Sequence, residues 1–187
     1  MGPLNEIIVR AGKSLAVHLL MGAMFYGLAL WLMGSYESAN EALRTRAETE
    51  GWENPAASIE ALLGTARNSM IGWFMISLIV SWLCSSLFLA FAQRRQPHTR
   101  NGREGGQALP VWILLFVLSI VACAVLWWRD GITNLAAMVV DMNYLLLVSA
   151  GYLGVVLAYW LGSGLAVTIT LKPSVPLANS LLPRFWN

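Results

Sequence analysis

Few side chains in this 187-residue chain are equipped for chemistry, and their spacing limits what they can do. His18 falls inside a long apolar run and Asp141 at the edge of another. Ionisable groups in such places are costly in a membrane and often mark proton relays, ion paths or ligands. A proton dyad or a shared metal would need the two within a few ångströms of each other. If the runs cross a bilayer in alternation, His18 lies one turn inside the first and Asp141 heads the fourth from the opposite face, tens of ångströms away by helix rise. Neither arrangement is expected, and bis-histidine haem ligation fails because His98 stands in a basic polar segment. His18 reads as a hydrogen-bonded packing residue. Asp141 with Asn143 reads as a helix cap, where a carboxylate meets the positive helix end. Its functional alternative is a gate or ion-selective ring in an oligomer.

Ser77, Ser81 and Ser85 recur every fourth position, with Cys84 beside them. Such a row can line a polar path or form a face for close helix approach; no ionisable group joins it, so a packing face is predicted. Cys84 and Cys123 both lie in apolar runs and form neither a disulfide framework nor a C-x-x-C pair. They read as small packing residues. The sequence contains no G-x-S-x-G, P-loop, H-E-x-x-H or dinucleotide fingerprint. The expectation is a protein that is not an enzyme, with no catalytic, cofactor-binding or metal-binding residues.

The elements that must position these residues follow from composition. The chain is 57% hydrophobic and 12% charged, with mean hydropathy +0.61. That charged fraction is about half of the roughly 25% usual for soluble domains. Apolar runs of about twenty residues match a hydrocarbon core of roughly 30 Å. The predicted fold is an all-α integral membrane protein, a single four-helix transmembrane domain over 1–187 with spans at 15–33, 70–92, 109–128 and 144–171. The first run is longer than a signal-peptide core and no A-x-A-like site follows, so it reads as a retained span. Trp31, Trp73, Trp127 and Trp128 are assigned to one membrane boundary, and Trp112 to the other, where indole rings favour the headgroups.

The connections differ in character. The outer loop, 34–69, sets six glutamates against Arg44, Arg46 and Arg67. A capping-box pair, Ser38 and Glu41, and the Asn54-Pro55 start predict two short helices in a hairpin lying on the membrane surface. The inner loop, 93–108, holds Arg94, Arg95, Arg100 and Arg103 against Glu104 alone. Those arginines set orientation, and could contact anionic lipid. The loop is too short, and too poor in aromatics, for nucleic acid. The apolar stretch 132–140 is too short to span and reads as interfacial or re-entrant. The tail, 172–187, has three prolines and an apolar end that suits a membrane surface or a partner.

The fourth run carries the most organised pattern: Ala150, Gly154, Ala158, Gly162 and Ala166 at every fourth position. Spacing of this kind lets another helix backbone approach closely. Ala23 and Gly27 repeat it once in the first run. The groove is predicted to receive the Ser77–Ser85 row or a neighbouring subunit. The side bearing both termini and the second loop carries Arg10, Lys13, Arg94, Arg95, Arg100, Arg103, Lys172 and Arg184, against Arg44, Arg46, Arg67 and Arg129 opposite. This bias predicts cytoplasmic termini and a bacterial inner-membrane location. The functional expectation is a non-enzymatic, polytopic subunit of an inner-membrane assembly of the secretion or conjugation kind. It would act through helix packing, with membrane lipids and other subunits or itself as partners and no nucleic acid. A homo-oligomeric channel and a small membrane immunity or inhibitor protein are the alternatives.

Overall fold

A computed structural model describes residues 3–34, 37–94, 108–131, 142–167 and 174–178. Its helices are α1 (Pro3–Gly34), α2 (Glu37–Glu50), α3 (Pro55–Arg94), α4 (Leu109–Leu126) and α5 (Met142–Ala166), with a π-helical turn, Trp127–Gly131, closing α4. No strand occurs among the described residues. Four of the helices, α1, α3, α4 and α5, are long and apolar enough to cross a membrane, which makes this a multi-pass membrane protein.

Proline placement explains three of the starts. Pro3, Pro55 and Pro110 each occupy a first helical turn, where a missing N–H costs nothing. Between Pro55 and Arg94 there is no further proline, and α3 runs unbroken for 40 residues. The separate short helix expected after Asn54-Pro55 is therefore not a separate element. The polar segment around Arg67 and Asn68 interrupts hydropathy, but nothing in it terminates a helix. At 1.5 Å per residue α3 is about 60 Å long, twice the hydrocarbon thickness, so its first part stands clear as a stalk.

α2 folds back against that stalk. Its end is fixed by Gly51, at φ +67°, and by the Trp52 N–H donating to Ala47 O at 3.0 Å. This is a Schellman closure, and it needs a residue that tolerates a left-handed backbone. Trp52 then packs with buried Ala47 and Ile59, a small core of the stalk's own. Arg46 Nε and the Trp52 indole both donate to the Glu50 carboxylate, at 2.8 and 3.0 Å, and hold its pKa below the usual glutamate value.

The four long helices pack around α3 and α5. α1 lies in the seam on one side of this pair and α4 on the other. α1 runs antiparallel to both: Ser14 meets Ser85 and Phe25 stacks on Phe74, while Arg10 reaches Ala166 and Phe25 lies near Gly151. α4 runs antiparallel to α3 through Trp73–Cys123 and to α5 through Trp112–Ser163. Two apolar clusters result. One, at the stalk end, centres on Trp73, Phe74, Phe25 and Leu147. The other, at the base end, centres on Phe88, Leu89, Trp112 and Tyr159. The outside is apolar as well: Leu20, Ile76, Leu87, Leu114, Leu118 and Val125 are all at least 44% exposed. Contiguous apolar exterior on a helical bundle belongs in acyl chains.

The five described tail residues turn back onto the base cluster. Val175 and Ala178 are buried in it, and the Trp160 indole donates to Pro176 O at 2.6 Å. This part of the tail is seated on its own chain. The helix of the fourth span, α5, ends at Ala166; residues 168–171 of the expected span lie outside the described residues, as does the 132–140 stretch.

Candidate functional site: a buried polar seam

Ser14, His18, Ser81 and Ser85 meet where α1 and α3 pack against α5, while buried Ser163 accepts from Trp112 of α4 and buried Ser119 bonds to Phe116 O within α4. Ser14, His18, Ser77, Ser81, Ser85 and Ser163 are all at most 3% exposed. α1 contributes Ser14 and His18 one turn apart, and α3 the serine row, so a single helix-helix face brings them into register. His18 Nδ1 lies 2.8 Å from Ser14 O and Nε2 lies 3.1 Å from Ser81 Oγ. A carbonyl only accepts, so the ring proton is assigned to Nδ1, and the neutral ring then accepts from the Ser81 hydroxyl at Nε2. Ser85 Oγ donates to Trp82 O at 3.0 Å, which leaves Ser14 as the donor in the 2.7 Å Ser14–Ser85 hydrogen bond. Ser77 returns its proton to Trp73 O at 2.8 Å. Every hydroxyl and ring nitrogen of this seam thus has a partner inside the bundle.

α5 closes the seam from the other side. A Cβ on Gly162 would lie 2.8 Å from both His18 Cε1 and Ser14 Oγ, closer than carbon contacts allow. Farther along α5 the same surface receives aromatic rings: a Cβ on Gly154 would be 2.9 Å from Phe74, and one on Gly151 2.6 Å from Trp73. Ala158 and Ala166 are buried and Ala150 is half-buried. At its three glycines the small-residue surface meets side chains other than the serine row. It seats His18 and Ser14 of α1, which touch that row with their other side, and the rings of α3. Ala23 and Gly27 of α1, by contrast, are exposed, and Gly27 has nothing within 4 Å. The close approach in α1 is at Gly22, where Met75 and Leu78 lie 3.4 Å from a Cβ position.

Four residues acquire roles that the sequence patterns missed. Trp73 is 1% exposed and its indole donates to Cys123 O at 3.0 Å. Trp112 is 4% exposed and donates to Ser163 Oγ at 2.8 Å, while Tyr159 OH donates to Trp112 O at 3.1 Å. These two tryptophans are core residues, not boundary markers; Trp31 and Trp128 are the exposed ones, at 69% and 72%. An indole N–H with a carbonyl in reach is satisfied anywhere in a bundle, so proximity to a span's end does not place it. Arg10, whose charge bears on orientation, also donates from Nη1 to Ala166 O at 2.9 Å and so caps the last turn of α5.

The remaining candidates stand apart. Arg94 is the exposed last residue of α3. Arg95, Arg100, Arg103 and Asp141 lie outside the described residues. Cys84 and Cys123 are buried free thiols in different clusters. Among the described residues no three His, Cys, Asp or Glu side chains converge as a metal site would require.

The seam's contribution is measurable. In a double-mutant cycle of His18→Ala and Ser81→Ala, read by unfolding in mixed micelles, a coupling of about 0.6–1.7 kcal/mol is expected, the range of interhelical hydrogen bonds in membranes. Strict additivity of the two changes would show that the contact carries no energy.

No family model matches this chain, and neither a curated protein nor a solved structure matches it.

Proposed function

We propose that this chain is a non-enzymatic, multi-pass subunit of a bacterial inner-membrane assembly, working through the surfaces it presents rather than through a reaction. One observation carries this reading: the imidazole and hydroxyls of the His18 seam are spent on each other and on backbone carbonyls. A catalytic base, a relay or a conducting path needs a group left over for substrate, proton or ion. Both nitrogens of His18 are engaged, and Ser14, Ser81 and Ser85 are engaged with it or with each other. A path lined by the serine row would have to run where α1 lies, which disfavours the channel reading for the closed bundle.

The orientation in this proposal places both termini and the 93–108 loop in the cytoplasm, and the acidic stalk of α2 and early α3 outside. The stalk is the surface such a subunit would offer to extracytoplasmic components, and a secretion or conjugation apparatus is the class of assembly that fits. Two measurements test it. Purified in mild detergent, the chain is expected to bring other membrane proteins with it; in liposomes it is expected to conduct no ions. A unitary conductance that Ser81→Val abolishes would replace this reading with the channel. For orientation, a cysteine placed at Glu48 should react with an impermeant maleimide in intact cells, and one at Arg94 only after lysis.

A further inference from the structure

We draw no further inference here: the strongest candidate, the polar side-chain cluster of Glu6, Arg10 and Gln93 where α1 is tied to the ends of α3 and α5, leaves Arg10 Nε and Gln93 Oε1 without a hydrogen-bond partner among the described residues but shut off from solvent, so nothing in the structure shows a ligand that could reach them.

Discussion

Gly162→Ala is expected to destabilise the bundle by about 1–3 kcal/mol, the cost of overpacking a filled interior. Alanine at an open helical position does the reverse, since it removes up to about 1 kcal/mol of backbone entropy cost relative to glycine. At Gly162 the steric term decides the sign. The new methyl would lie 2.8 Å from His18 Cε1 and from Ser14 Oγ. Neither neighbour can retreat cheaply. His18 is held at both ring nitrogens, and Ser14 is held to Ser85. Moving α5 away instead would pull Ala166 O from Arg10 and the Ser163 hydroxyl from Trp112. The paired control is Gly27→Ala, with nothing within 4 Å, where the helix propensity gain should survive. Unfolding midpoints in mixed micelles should therefore move in opposite directions for the two variants. A Gly162→Ala midpoint equal to or above the unaltered protein's would show that α5 is free to shift there.

The spans themselves were legible because length and hydropathy suffice to mark them, and Pro110 marks the start of one. Partners were not, because hydropathy does not say which side of a helix faces protein. The small-residue surface of α5 illustrates the gap. A row at every fourth residue turns by about 40° per step on a helix of 3.6 residues per turn, so it cannot stay on one face over 16 residues. The surface that is filled steps by three and by four, from Gly151 through Gly154, Ala158 and Gly162, and the tightest approach is at Gly151, outside the every-fourth row. The serine row was legible as a packing face but not its partner, since a lone His18 in an apolar run carries no mark of what it meets. The stalk was misjudged for a different reason. Polarity in 64–69 ends a hydrophobic run, but only a backbone signal ends a helix, and that segment has none strong enough.

Trp73→Ala should be the most damaging single truncation in the bundle, at about 2–3 kcal/mol. In water, loss of a buried tryptophan costs about 3–5 kcal/mol, of which part is transfer out of solvent. In a bilayer the unfolded helices keep their side chains in acyl chains, so that part falls away and the loss of contacts remains. The contacts here are many. The ring is edge-on to Phe25 and to Trp127, with centroids at 6.5 and 5.1 Å, and tilted against Phe74 and Tyr152 at 6.3 and 5.7 Å. It joins α1, α3, the turn after α4, and α5, and Gly151 leaves the room for it. Trp73→Phe separates the two contributions: it keeps most of the ring contacts but removes the donor to Cys123 O. That carbonyl still accepts from the backbone N–H of Trp127, so no buried acceptor is orphaned. The phenylalanine variant should accordingly lose about 1 kcal/mol, close to the value of one interhelical hydrogen bond in lipid. Trp31→Ala and Trp128→Ala, at exposed positions, should stay within about 0.5 kcal/mol of the unaltered protein. Near-ultraviolet dichroism gives a second readout, because Trp73 and Trp127 sit close enough to couple: the aromatic signal should collapse in Trp73→Ala and persist in the two surface variants. If Trp31→Ala proved as harmful as Trp73→Ala, the tryptophan that organises the stalk end would be the lipid-facing one, and the packing described for Gly151 and Gly154 would have to be redrawn.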